Sequence, residues 1–252
     1  MKIVLSPAKS LDYTTPVPTD KYTLPVFLEE AKLLDEVLKA KTPKDLAKLM
    51  HISDKLAELN WKRFQEWSVP FTPENSRQAV FAFNGAVYDG LDAYSLSQKQ
   101  IDDLQSKLRI LSGMYGVLRP LDLMQPYRLE MGTKLKFDKY KNLYDFWKDK
   151  VTNKLNEELH EDEPFINLAS NEYFKAIDKK QLKTKIITPV FKDLKNGELK
   201  IIAIYAKKAR GMMVRYIVEN SIEKADDLKG FNMANYAFDS KLSTDTELVF
   251  TR

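Results

Sequence analysis

The chain has 252 residues, 44% of them apolar and 30% charged, with no cysteine and a net charge of +4. This describes an ordinary globular chain that can bury a sizeable core, and the lack of cysteine excludes disulfides, thiolate metal sites and cysteine nucleophiles. The opening MKIVLSPAKSLDY has too short an apolar run for a secretory signal, and no stretch approaches a membrane span, so a soluble cytoplasmic protein is expected.

KIVLS reads as a short buried strand, followed by a proline-rich loop to Pro25. From Phe27 to about Trp67 the pattern is helical, with Thr42 and Ser53 as caps and Pro43 in a first helical turn. This block, 27–67, is a candidate helical lobe. RQAVFAFNGAVYDGLDAY is expected to be a buried helix broken near Gly90, and LSQKQIDDLQSK a polar helix. NLYDFWKDKVTNKLNEELH reads as an amphipathic helix, EPFINLAS as a strand and turn, and NEYFKAI as the start of a helix. KIITPVFKD and KIIAIYA read as two strands joined through Asn196-Gly197, a hairpin signal. KARGMMVRYIVENSIEK is a helix with a basic first half, and TELVFTR a final strand. No repeat or linker divides the chain, so residues 1–252 are expected to form one mixed α/β domain.

Charge is unevenly spread. Between Lys107 and Lys141 the chain carries +5, and YAKKARGMMVRY adds Lys207, Lys208, Arg210 and Arg215 with no acid. Clustered cations of this kind point to an anionic partner. The stretch RILSGMYGVLRPLDLMQPYRLEMGTKL, 109–135, concentrates special-purpose residues. Its Gly113 and Gly116 suit a tight turn with close backbone approach, and Pro120 suits a first helical turn. Two short segments about a G-x-x-G turn resemble a helix-hairpin-helix, whose free N–H groups would bind phosphate. Arg109, Arg119 and Arg128 flank it and suit bidentate phosphate contact. The competing reading is a structural turn whose arginines pair with Asp122 and Glu130.

SPAKSLDY places Ser6, Lys9 and Ser10 in a loop after the first strand, and NLASNEYFKAI places Ser170, Asn171 and Glu172 at a strand-to-helix junction. Ser170 or Asn171 is a cap candidate, yet strand ends are also where open α/β sheets hold ligands. Phosphate-loop fingerprints are absent. The two histidines, His51 and His160, have no metal-site or triad setting, so neither metal nor cofactor is expected.

Together SPAKSLDY, FNGAVYDGL, the 109–135 stretch, INLASNEYFKAI and ARGMMVRYI resemble the peroxide stress protein YaaA family, in order, over nearly the whole chain. Two departures are Ser10, where the family often has Thr, and Asn235, where a glycine is expected in a tight turn. The resemblance implies a cytoplasmic protein that limits free iron and protects DNA and proteins during hydrogen peroxide stress. It also implies a single α/β fold of unusual topology, with a basic cleft, a helix-hairpin-helix-like element and DNA binding. Carried over by position, the hairpin is Ser112, Gly113, Tyr115 and Gly116. The cleft residues are Lys9, Arg109, Arg119, Arg128, Lys207, Lys208, Arg210 and Arg215. The alternative is an enzyme acting on a small anionic or nucleotide-like substrate at Ser6, Lys9, Ser170, Asn171, Glu172 and Arg210. A third option is a regulatory protein that binds an acidic tail.

Overall fold

Short runs rich in Ile, Val, Leu and Phe at 2–5, 108–112 and 165–168, buried on both faces, form the parallel heart of the molecule. The computed structural model describes every residue from Met1 to Arg252. In chain order the elements are β1 (Lys2–Leu5), β2 (Ser10–Leu11), α1 (Leu28–Lys39), α2 (Pro43–Met50), α3 (Asp54–Glu66), β3 (Arg77–Gln78), α4 (Ala79–Ala82), β4 (Phe83–Asn84) and α5 (Ala86–Leu91). The chain continues with α6 (Gln98–Lys107), β5 (Leu108–Ser112), β6 (Gly116–Leu118), β7 (Leu123–Met124), α7 (Leu143–Glu158), β8 (Phe165–Leu168) and α8 (Asn171–Phe174). It ends with β9 (Ile186–Lys195), β10 (Glu198–Lys200), α9 (Ala203–Glu219), β11 (Ala237–Phe238) and β12 (Glu247–Thr251).

Strands β5, β1, β8, β9 and β12 lie side by side in that order, all parallel, with Ile3 opposite both Leu108 and Ile166. Numbered by their order along the chain, these five run 2-1-3-4-5. β6 and β11 add antiparallel edges, and β10 folds back on β9 through Asn196 and Gly197, both at positive φ. In a sheet of this order the chain leaves β1 in opposite directions, and a crevice opens between the carboxyl ends of β1 and β8. Leu34, Leu46 and Phe64 of the 27–67 block belong to the same continuous apolar core as the sheet. The block is therefore packed into a single mixed α/β domain. No helix is long and apolar enough to cross a membrane.

Most helix signals hold. Thr42 accepts from Asp45 N in a capping box with Pro43 behind it, and Ser53 accepts from Leu56 N. Asn235 takes the left-handed conformation (φ 64°) that favours glycine, so the chain makes a tight turn there without one. Three expectations are corrected. The 77–94 segment breaks at Phe83–Gly85, where β4 pairs with β2, and Gly90 lies inside α5. At Gly90 a Cβ would lie 2.1 Å from the Lys208 carbonyl oxygen, so glycine there serves the close crossing of α5 and α9. KIIAIYA is not a strand: β10 stops at Lys200, and Ala203–Ala206 form the first turn of α9. The apolar run 201–206 fits either period, which is why sequence alone misplaced it.

The third correction concerns 109–122. Gly113 and Gly116 join two antiparallel strands, β5 and β6, with Ser112 opposite Gly116, and Pro120 is followed by β7 rather than a helix. The element is a β-hairpin. Gly116 has φ 65° and an added Cβ would lie 2.6 Å from the Trp147 ring, so the glycine answers to the core. Two packed helices joined by a tight turn are found instead at α2 and α3, where His51 adopts φ 52°.

Candidate functional site

Ser6 leaves β1 and Ser170 leaves β8 at the crevice. The Ser170 amide donates to Ser6 Oγ at 2.8 Å, and the two hydroxyls are 3.3 Å apart. Tyr88 OH, from α5, donates to the Ser6 carbonyl at 3.1 Å. Lys9 lies three residues past Ser6, and its Nζ is 2.7 Å from Glu130 Oε2. Arg128 holds the other oxygen of Glu130 at 3.0 Å. On the β8 side, Glu172 Oε1 accepts from the Gly132 amide at 2.9 Å, and Tyr144 OH donates to the Glu172 carbonyl at 3.0 Å. Four segments far apart in sequence, 6–10, 83–88, 128–132 and 170–173, therefore meet at the carboxyl end of the sheet.

Ser170 is also the N-cap of α8, accepting from Tyr173 N, so the bland reading of this serine is correct as well. Burial raises the pKa of Tyr88, Tyr127 and Tyr173, which keeps these phenols neutral as donors behind the crevice. The site thus offers two hydroxyls, a clamped carboxylate in Glu130, a second carboxylate in Glu172 and several cations. The Ser6 hydroxyl's partners are the Ser170 amide and hydroxyl; no general base is bonded to it. No group of three or more His, Asp or Glu side chains is placed to hold a metal ion.

The turn at 112–116 is placed elsewhere. Ser112, Gly113, Tyr115 and Gly116 are buried. Ser112 Oγ accepts from the Met114 and Tyr115 amides and bonds Tyr127 OH at 2.7 Å. Tyr115 OH accepts from the Trp67 indole, and the Gly113 carbonyl accepts from the Trp147 indole. Donors that a phosphate would need are already used inside the core.

The eight arginines divide sharply. Arg109 pairs with Glu158 at 2.5 Å and is almost fully buried. Arg119 pairs with Asp122, Arg128 with Glu130, Arg215 with Glu219 and Asp92, and Arg252 with Asp193. Two of the expected phosphate ligands thus pair with the acids, Asp122 and Glu130, named by the structural reading. Arg63, Arg77 and Arg210 have no carboxylate partner. Arg77 satisfies itself on the Thr15 and Phe81 carbonyls and Tyr94 OH. Arg210 is half-buried beside the α5–α9 crossing, and burial lowers its pKa with no compensating partner. Lys207 and Lys208 on the same helix are exposed.

Of the residues expected at a small-ligand site, the structure brings Ser6 to Ser170, and Lys9 to Glu130, while Glu172 caps Gly132. Asn171 is exposed at the start of α8. Sequence reasoning missed the crevice roles of Tyr88, Glu130 and Gly132. Tyr88 and Glu130 lie within motifs that were singled out, but only the fold shows that these meet the Ser6 loop.

A family model described as peroxide stress protein YaaA matches residues 1–242. A UPF0246 protein of Flavobacterium johnsoniae is 61% identical over 252 residues, covering all of both chains. One from Flavobacterium psychrophilum is 58% identical over the same full length. One from Aliivibrio fischeri is 56% identical over 254 residues, covering all of this chain and 98% of its own. By this match over nearly its whole length, the chain belongs to the peroxide stress protein YaaA family.

Proposed function

We propose that this chain serves the peroxide stress response by binding nucleic acid without sequence preference. Phosphates are held along α9 by Arg210, Lys207 and Lys208, and at the mouth of the crevice by Lys9 on its loop. Exposed Lys44, Lys48 and Lys55 on the α2–α3 hairpin form a second contact. Occupancy of the nucleic acid then limits iron-dependent oxidative damage to it. The observation that supports this most is Arg210, a guanidinium half-withdrawn from water with no acid beside it. Such a group is costly unless an anion completes it. The buried 112–116 turn has no part in this reading.

The test is titration of labelled duplex DNA across a salt series. Each phosphate contact removed should flatten the slope of log affinity against log salt by about 0.9. Lys207→Ala with Lys208→Ala should reduce it by about 2, and an unchanged slope would exclude α9 from the interface.

A second reading, an enzyme acting on a small anionic substrate, is favoured by the Ser6–Ser170 contact at the switch point of the sheet. There Lys9, Glu130 and Glu172 supply charge and Ser6 a hydroxyl. It predicts that Glu172→Gln leaves duplex affinity intact while abolishing turnover or small-anion binding. Loss of duplex affinity in that variant would count against it.

A further inference from the structure

Arg63 is untouched by the crevice. It projects from α3, where its Nη1 donates to Asn60 Oδ1 at 3.2 Å, and it meets no carboxylate. It is half-buried. Burial lowers its pKa, and Arg128 lies near enough to add like-charge repulsion. A guanidinium does not give up its proton under such pressure. The fold therefore carries a poorly solvated cation, close to another cation, with one neutral acceptor.

The space in front of it is a cavity of about 520 Å³. Arg63 lines it together with Arg77, Tyr13, Trp67, Ser76 and Gln125. That volume falls within the range of small-molecule sites. Arg77 is nine-tenths buried and, like Arg63, has no acid partner. Both guanidiniums act electrostatically on the half-buried Tyr13 phenol, which donates to the Met124 carbonyl at 2.7 Å. The acids of the cavity, Asp20, Glu66 and Glu74, are exposed, and none pairs with either arginine. Arg77 already spends its Nε and Nη2 on the Phe81 and Thr15 carbonyls and Tyr94 OH, so the open donor fork on this cavity is that of Arg63, which suits an anion with several acceptor oxygens. The neighbouring Arg128 even keeps its Nε buried and without a partner.

We propose that this cavity binds a small phosphate-bearing metabolite of nucleotide size or below, with Arg63 as its principal anion contact. The site uses neither α9 nor the Ser6–Ser170 crevice; it shares with the nucleic-acid reading only helix α3, which carries both Arg63 and Lys55.

The experiment is calorimetric titration of the full chain with inorganic phosphate and with adenosine monophosphate, at ionic strength matched with chloride. Wild-type protein should bind at least one probe saturably, and its melting temperature should rise with probe concentration by mass action. Arg63→Gln should weaken that binding at least tenfold. Without probe, the same variant should melt at or above the wild-type temperature, because an uncompensated cation has gone. Absence of binding by both probes, undiminished binding in Arg63→Gln, or earlier melting of the ligand-free variant would each overturn the proposal. Loss of binding in Lys9→Ala but not in Arg63→Gln would move the anion to the crevice and overturn it too.

Discussion

The 109–128 hairpin and the Ser6–Lys9 loop look alike in sequence: each sets small residues beside cations and suggests a phosphate cradle. In the fold they diverge. Around the hairpin every arginine has a carboxylate, the turn amides bond to Ser112, and an added Cβ at Gly113 or Gly116 would strike Leu129 or Trp147. The Ser6 loop opens at a strand end, with its lysine 63% exposed and Arg210 unpaired on the helix that crosses α5. Glycine and arginine density marked packing at the hairpin, while the Ser6 loop, which has neither residue, opens at the crevice. Lys9 also has an acid, Glu130, so what separates the two places is Arg210. Each hairpin arginine has an acid of its own and Arg210 has none, and a pair inside the chain leaves little charge for a ligand.

The comparison breaks if the hairpin proves dispensable to stability. Gly116→Val combines a left-handed backbone with a clash against Trp147, and should cost about 3 kcal/mol or more, or prevent folding. Urea denaturation would show it. Arg109→Gln leaves the largely buried Glu158 with only Lys154, at 3.6 Å, and should cost about 2 kcal/mol while leaving duplex DNA affinity as it was.

Asp35 on α1 sharpens the point from the acid side. It is buried with Oδ1 unpartnered, and burial pushes its carboxyl from 3.8 up to about 6 despite Lys39 at 3.5 Å. The folded state therefore holds its proton more tightly than the unfolded one. Stability from this group is full below about pH 4 and is lost as pH rises through 6. Asp35→Asn should accordingly be near neutral at pH 4 and stabilising by about 2 kcal/mol at pH 7.5. A pH-independent difference between the two proteins would contradict that. Smallest of all, Lys207→Ala and Lys208→Ala should change stability by less than about 0.5 kcal/mol, since both side chains are exposed and unpaired.

Much of this was legible beforehand. Caps at Thr42 and Ser53, the Asn196-Gly197 hairpin and the strands at 2–5, 165–168 and 247–251 are local signals that the fold respects. The meeting of Ser6 with Ser170 depends on a parallel pairing 163 residues apart in the chain, which no local pattern encodes; only their common placement at strand ends hinted at it. The arginines of 109–128 were ambiguous for a physical reason. Arg109's partner, Glu158, lies on α7, and nothing in its own neighbourhood names it. Arg63 drew no notice because its distinction is a missing partner, visible only when every nearby acid can be placed.

The most direct test pits one unpaired arginine against one paired one. Arg210→Gln and Arg119→Gln would be compared for duplex DNA affinity at fixed low salt and for melting temperature. Arg210→Gln should weaken binding about tenfold, roughly 1.4 kcal/mol, with melting unchanged or raised. Arg119→Gln should lower melting by stranding Asp122 while binding holds. The reverse pattern, with binding lost in Arg119→Gln and intact in Arg210→Gln, would contradict the account.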